Sequence, residues 1–514
     1  MATDRQISPP TLLEKFAYLK RNKNSLVGFG SASGSMLITG FLLYALSDYT
    51  LLICLPFIIF MAAYLTISYG LGMFSREFDH DRHRRIVDKH LSDAQEKSVD
   101  VYLPICGEDL DIIRNAWIYV KQLRWKHLNV YVLDDGRSDA AKELAAEFGF
   151  NYIRRDDNYM KKSGNLRNAF HQTSGEFILI LDADFCARPE MLNEMVPYML
   201  ENPKLCIVQT PQYFESATWM NWVEKGAGEI QEFFYRYTQV SRNHWGGAIC
   251  VGTSALYRRE ALDEIGGFRL KEWSEDVWNG FSMVDRGWQI EYVALNLSKG
   301  RCPETLRQLF NQQYRWACGS LSLAKNREFW GSSLIPMQKV CYVSGMMYFI
   351  FSAIIPFLIL IPGPVAVWLF PEHVFVTNLS YYLPSLIYGT IVYKQWSHYK
   401  GFNLDFFIIR LFTYFVNLFA LKDILLNTTM GWVATGAKAK KHINFQLYQV
   451  GALLLVTVNI AALVGGYLYH SETIDIVNLI PSFLSSAFYG SMFAFPIIRN
   501  LISERTCEKK KNLL

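Results

Sequence analysis

Charge is scarce in this sequence. Of its 514 residues only 19% are Asp, Glu, Lys or Arg, and the formal net charge is +4, too small an excess to argue for a nucleic-acid partner. No basic stripe interleaved with aromatics occurs either, so no nucleic acid is expected. Cysteine is present but unorganised: nine residues, at 54, 106, 186, 206, 250, 302, 318, 341 and 507, are odd in number and form no CxxC pair. That pattern argues against a disulfide framework and against a zinc site, and reduced thiols facing the cytoplasm are the simplest reading. The first 25 residues are polar and charged (LLEKFAYLKRNKN), so no cleavable signal peptide is expected.

Apolar residues are plentiful instead, at 51%, with aromatics at 15%, a balance that favours a membrane protein. Runs long enough to cross a bilayer need roughly 20 residues. Two occur early, at 26–46 and 51–72, separated only by SDYT, and form a helical hairpin (26–75) after a cytoplasmic N-terminal segment (1–25). Gly and Ser in the first run suit close helix packing in lipid. Later runs at 338–362, 379–396, 445–468 and 476–497 bring the expected spans to six and fill a second membrane region over 331–498. Between them, 404–427 (LDFFIIRLFTYFVNLFALKDILLN) is interrupted by Asp405, Arg410, Lys422 and Asp423 and reads as an amphipathic helix lying in the interface. The three short loops SDYT, PEHVFVTN and YHSETID contain no Lys or Arg, whereas RHRR (82–85) and the basic tail (499–514) fall on the other side. The positive-inside rule makes that side cytoplasmic, with both termini and the intervening domain on it; a multi-pass plasma-membrane protein in contact with lipid is expected.

From about 98 to 325, within a unit spanning 76–330, the chain reads as α/β. VDVYLP, LNVYVLDD, EFILILDAD and KLCIVQT are short β-branched runs ending in polar residues and separated by helical patterns. Such alternation predicts a mostly parallel sheet with ligands beyond the carboxyl ends of its strands. Four acidic clusters sit there: Glu108–Asp109, Asp134–Asp135, Asp182 with Asp184, and Glu275–Asp276. Two carboxylates one residue apart at a strand end can share a hard divalent cation completed by phosphate oxygens, and a separate carboxylate could deprotonate a hydroxyl. Any one cluster is more often a helix cap or a solvated turn; their joint placement argues for a site.

The order DDG (134–136), DAD (182–184), SED (274–276) and QQYRW (312–316) resembles the D, DxD, D, QxxRW signature of the processive family 2 glycosyltransferases, the cellulose, curdlan, mixed-linkage glucan, chitin and hyaluronan synthases. KKSGNLRNA, VQTPQYF and GTSALYRREALDEIGGF make the likeness strongest to cellulose-synthase-type enzymes. The resemblance implies a GT-A α/β domain inserted between transmembrane helices. It implies a donor site in which Asp134 or Asp135 meets uridine, Lys162 and Arg315 approach the diphosphate, and Asp182 and Asp184 hold UDP and Mg²⁺ or Mn²⁺. Asp276, beside Glu275, would be the general base in an inverting transfer from a UDP-sugar, with UDP-glucose favoured, to a growing β-linked polysaccharide. Gln312, Tyr314 and Trp316 would meet the acceptor.

Two features depart from the family pattern. The first strand ends Pro104-Ile105-Cys106-Gly107-Glu108, with Cys106 where an aromatic is common, and is read as a small buried hydrophobe. GWVATGAKAKK (431–441, within a loop at 428–442) resembles the FxVTxKG gating loop with one extra residue; Thr435 and Lys438 would contact the diphosphate. With two spans and the tail beyond it, a cyclic-di-GMP-binding β-barrel is not expected in this chain. A homo-oligomer or accessory subunits stay open. So do two other readings, a non-processive transferase acting on a lipid and an inactive scaffold or translocation subunit.

Overall fold

The computed structural model describes residues 6–19, 23–374, 404–429 and 443–511. Each of the four anticipated runs forms a strand: β1 (Val99–Ile105), β2 (Leu128–Asp134), β4 (Phe177–Ile180) and β6 (Leu205–Gln209). They are joined by β3 (Asn151–Arg154), β8 (Ala255–Arg258) and β9 (Gln289–Tyr292) in a seven-stranded sheet ordered β3-β2-β1-β4-β8-β6-β9. Only β8 runs antiparallel to its neighbours. All seven residues of β1 are buried, as expected for a parallel strand covered by helices on both faces. The charge this traps, Asp100, accepts from the Gly175 N–H (2.7 Å) and is paired with Arg259 (3.1 Å), so the strand is not left with an unsatisfied carboxylate. A smaller sheet of β5 (Cys186–Ala187), β7 (Tyr213–Phe214) and β10 (Ser298–Gly300) lies in the order β5-β10-β7.

The N-terminal segment is stitched onto this domain. Ile7 and Tyr18 are buried in its core. Lys15 is enclosed between Glu190 (3.3 Å) and Glu194, which also holds His83 at 2.7 Å. The Tyr18 hydroxyl donates to Glu232 at 2.6 Å.

Among the described residues, six helices are long and apolar enough to cross a membrane: Lys23–Ala45, Tyr49–Met73, Pro336–Leu360, Leu404–Leu426, Ile443–Tyr469 and Ile476–Ile502. The first two form the anticipated hairpin, and a Cβ at Gly34 would come within 3.2 Å of Leu65. The expected span 379–396 lies outside the described residues. Leu404–Leu426, read from its charges as an interface helix, has by length and composition what a span requires. The charges that interrupt it are largely turned to partners: Asp423 to Tyr314, Lys422 and Asn444, and Arg410 to Tyr414. The helix packs on the helices Trp222–Phe233 and Leu306–Lys325 of the α/β unit and on the membrane-length helix Pro336–Leu360. The eight cysteines that can be described are all free thiols, six of them buried.

Removing the Lys15 ammonium leaves two carboxylates facing each other in a partly buried site. Lys15→Ala is expected to cost about 3 kcal/mol of stability, read as a lowered thermal midpoint of the detergent-solubilised protein; an unchanged midpoint would show that this strap contributes nothing.

Candidate active site

The carboxyl ends of β1, β2 and β4 open into a cavity of about 710 Å³, within the range of small-ligand sites. Of the residues singled out by sequence, Asp135, Lys162, Asp182, Asp184, Glu275, Asp276, Gln312, Arg315 and Trp316 all line it. Asp134 does not. Fully buried, it accepts backbone N–H bonds from Gly136 (2.7 Å), Arg137 (2.9 Å) and Ser138 (2.8 Å), as well as the Tyr152 hydroxyl. It shapes the turn after β2, and Asp135 is the member of the pair that faces the cavity. Asp135 is held in turn by a two-pronged contact with Arg155, at 2.6 and 2.7 Å, the geometry in which a guanidinium fixes a carboxylate most firmly. Arg155 also donates to the carbonyls of Tyr159 and Lys161. Gly164 of KKSGN is required there, since a Cβ would lie 2.0 Å from the Tyr159 oxygen.

Lys162 ties the two halves of the site together. From the helix Lys161–Phe170 its ammonium donates to Asp182 at 2.6 Å and to the Gly252 carbonyl at 3.1 Å, with Glu275 at 3.9 Å. Burial alone would lower its pKa, but the carboxylates of Asp182 and Glu275 override this and raise it above the ordinary lysine value. The Asp182 N–H donates to the Thr253 hydroxyl at 2.9 Å. Burial pushes Asp184 up to about 6, although it accepts the Arg301 N–H. Asp276 stands on the first turn of the helix Glu275–Val284. Burial, reinforced by the adjacent Glu275, pushes it up to about 7. Gly252, at φ +78°, passes so close that a Cβ would lie 2.9 Å from an Asp276 oxygen. Glu108 lines the same cavity and is raised by burial. Cys106 also lines it, and burial with the neighbouring Glu108 pushes its thiol up to about 11, so it is neutral near pH 7.

The helix Leu306–Lys325, which carries QQYRW, begins at a capping box in which Thr305 and Gln308 exchange side-chain and backbone bonds. It lays Gln308, Gln312, Arg315 and Trp316 along the cavity, a spacing that fits one helical face. Tyr314 points elsewhere. It is fully buried and its hydroxyl donates to Asp423 at 2.7 Å, so the acceptor contact expected of it is replaced by a bond to a membrane-side helix. One turn on, Gly319 meets the turn that carries Asp276: a Cβ there would be 1.8 Å from the Ser274 hydroxyl and 2.3 Å from its Cβ. Ser274 itself takes a left-handed φ of 46°, a conformation seldom adopted by a residue with a side chain. Thr435 and Lys438 lie outside the described residues.

Sequence reading attached no role to Arg155, Thr253, Arg301 or Gln212. The last two line the cavity. Gly252 and Thr253 had been noticed within GTSALYRR as part of a likeness, with no role attached; nothing in the sequence says that this loop crosses the end of β4 to reach Lys162 and Asp182.

A mostly parallel sheet with paired carboxylates at adjacent strand ends, flanked by membrane-length helices, has the architecture of a GT-A domain set beside a membrane region. Residues 100–266 match the model of glycosyl transferase family 2 and residues 264–394 that of cellulose synthase. In these two adjoining segments the chain is similar to family 2 glycosyltransferases and to the cellulose synthases. It is 31% identical over 307 residues to a UDP-forming cellulose synthase catalytic subunit of Pseudomonas fluorescens (57% of this chain, 41% of that protein). To cellulose synthase 2 of Novacetimonas hansenii it is 32% identical (61% and 21%), and to a UDP-forming cellulose synthase 1 catalytic subunit of Komagataeibacter xylinus 27% (74% and 53%). The chain thus spans between a fifth and about half of the length of these relatives. Similar solved structures include a mannosyltransferase of Pyrobaculum calidifontis with GDP-Man and Mn²⁺ (14% identity, TM-score 0.44, 71% of this chain and 99% of that one). Another is glucosyl-3-phosphoglycerate synthase of Mycobacterium tuberculosis with Mn²⁺ and UDP (17%, 0.34, 46% and 82%).

A methyl group at Gly319 has no space unless the Asp276 turn or the helix moves. Gly319→Ala is therefore expected to lower turnover about tenfold or more with donor binding retained, measured as UDP release against titrated donor; wild-type turnover would show that the two elements are not held in register by this contact.

Proposed function

We propose that this chain is a processive, inverting glycosyltransferase that polymerises a UDP-sugar, UDP-glucose being favoured, into a β-linked polysaccharide and passes the product through its membrane helices. One juxtaposition carries the reading: the two carboxylates that suit a nucleotide sugar, the partly buried Asp276, and Trp316 on a helix packed against a membrane-length helix all face one cavity. The relatives named as UDP-forming cellulose synthases support the choice of donor.

In this scheme Asp135 contacts uridine, and Lys162 and Arg315 meet the diphosphate. Asp182 and Asp184 hold a divalent cation, Mg²⁺ or Mn²⁺. Carboxylate oxygens suit such hard ions. No group of three or more His, Cys, Asp or Glu able to hold a metal occurs among the described residues, so diphosphate oxygens would complete the coordination. Bound there, the cation would offset charge on the departing diphosphate. Asp276 takes the proton of the acceptor hydroxyl as its oxygen bonds to the anomeric carbon and the bond to the diphosphate breaks. One displacement inverts an α-linked donor to a β-linked product, and no sugar–enzyme bond is needed. Trp316 stacks on the terminal acceptor sugar, and Gln312 positions it.

Thr435 and Lys438 are proposed to close over the diphosphate, which would exclude water from the donor. The helix Leu404–Leu426 is proposed to lie at the interface, in keeping with its contacts to the catalytic helices. The loops free of Lys and Arg support a catalytic unit and termini on the cytoplasmic side of the plasma membrane.

Purified protein incubated with a panel of radiolabelled UDP-sugars should yield an insoluble polymer with one of them; a solvent-extractable lipid carrying a single sugar would overturn the processive reading. Asp276→Asn is expected to abolish transfer with expression and donor binding largely intact. A base must be ionised to accept a proton. With Asp276 at about 7, kcat/KM should fall about tenfold per pH unit below that value and level off above it; a flat profile between pH 5.5 and 8 would remove Asp276 from the base role.

A further inference from the structure

Among the buried charged groups that the catalytic scheme leaves unused, one lies next to the QQYRW helix. Asp423, 2% exposed, lies near the end of the helix Leu404–Leu426, more than a hundred residues from QQYRW in sequence. Its two oxygens are fully engaged. Oδ2 accepts the Tyr314 hydroxyl at 2.7 Å and the Asn444 amide at 2.7 Å. Oδ1 accepts the Thr428 hydroxyl at 3.1 Å and pairs with Lys422 at 2.9 Å. Thr428 follows its own helix, and Asn444 opens the helix Ile443–Tyr469.

The position is electrostatically adverse. A carboxylate in the last turn of a helix faces the negative end of the helix dipole, and burying a charge is costly unless it is paired and hydrogen-bonded. An apolar side chain would fill the same space without that cost. What the carboxylate offers is an acceptor with no donor of its own. Every neighbour must therefore donate to it, which fixes the rotamers of Tyr314 and Asn444 together. Tyr314 carries this order inward: its ring lies edge-on to Trp273 (centroids 6.1 Å apart, 76°) and parallel to Phe310 (6.2 Å, 13°). Trp273 immediately precedes Ser274, Glu275 and Asp276. Tyr314 also lies between Gln312–Gln313 and Arg315–Trp316 on one helix.

We infer that Asp423 is a positioning residue for the acceptor end of the site. Through Tyr314 it locks the QQYRW helix and the Trp273–Asp276 turn to the two membrane-side helices, so that Trp316 and Asp276 keep a fixed separation while the acceptor is drawn from one to the other. This rests on the polymerase reading above. Because Asp423 touches neither the donor residues nor Asp276, its loss should spoil transfer to the acceptor and leave the donor half of the site at work.

The test uses full-length protein in detergent or nanodiscs, with Asp423→Asn, Tyr314→Phe and the double variant. Tyr314→Phe keeps the ring contacts and removes only the hydroxyl, so it stays informative if Asp423→Asn folds poorly. For each single variant we expect polymer formation to fall about tenfold and the polymer to shorten. The donor KM and total UDP release should stay within about twofold, the extra UDP coming from hydrolysis. The double variant should be no worse than Asp423→Asn alone, as expected of two residues sharing one bond. Polymer of wild-type length and rate from Tyr314→Phe would overturn the inference. So would a parallel loss of UDP release, polymer and thermal midpoint in both single variants, because a merely structural carboxylate behaves that way. Failure of the unmutated protein to make polymer from any UDP-sugar would sink the polymerase reading, and this inference with it.

Discussion

Mutual repulsion among carboxylates is the constraint that organises this molecule. Glu108, Asp135, Asp182, Asp184, Glu275 and Asp276 share one cavity, and like charges brought together out of water resist ionisation. The fold answers with specific counter-charges and donors. Lys162 stands between Asp182 and Glu275, Arg155 clasps Asp135, and the backbone N–H of Arg301 serves Asp184. Where no direct partner charge is supplied, as at Asp276, burial first and then the adjacent Glu275 move the pKa up toward 7. The same scarcity of compensation that makes the site costly leaves one carboxylate poised to exchange a proton near neutral pH.

A second constraint is mechanical. The site is assembled from an α/β domain and a helix that packs as much on the membrane-length helices as on the domain. Leu306–Lys325 meets the Asp276 turn through Gly319 and Ser274 at a distance no larger residue allows, and it meets the helix Leu404–Leu426 through Tyr314 and Asp423. Close packing of this kind transmits small shifts rather than absorbing them. The register between Trp316 and Asp276 is thus set jointly by the sheet and by the membrane-side helices. The N-terminal strap, through Lys15 and Tyr18, further joins the segment before the first membrane helix to the catalytic domain.

The local pattern was legible where physics is local. Alternating β-branched runs gave the four central strands, and apolar runs marked the hairpin and three of the later membrane-length helices. Reading was weakest where a residue's meaning depends on what folds against it. Asp134 and Asp135 are adjacent and chemically identical, yet one is spent on a turn and the other faces the cavity. Tyr314 sits inside the QQYRW motif and turns away from the cavity that its neighbours line. The charges of 404–426 suggested an interface helix because sequence cannot show that Asp423 has Tyr314, Lys422 and Asn444 to receive it; with partners supplied, charge no longer distinguishes lying at a membrane from crossing it.

By itself, then, the sequence determined the class of architecture, a parallel-sheet domain between apolar helices, and the identity of the acidic residues at its strand ends. These follow from periodicity and composition, which act over a few residues. Only the tertiary structure decided which of those carboxylates share a cavity, which cations attend them, and that Gly252, Arg155 and Gly319 are the positions where backbone or guanidinium must approach. Such contacts join residues far apart in the chain, and their energies depend on burial and distance, neither of which is written in local sequence.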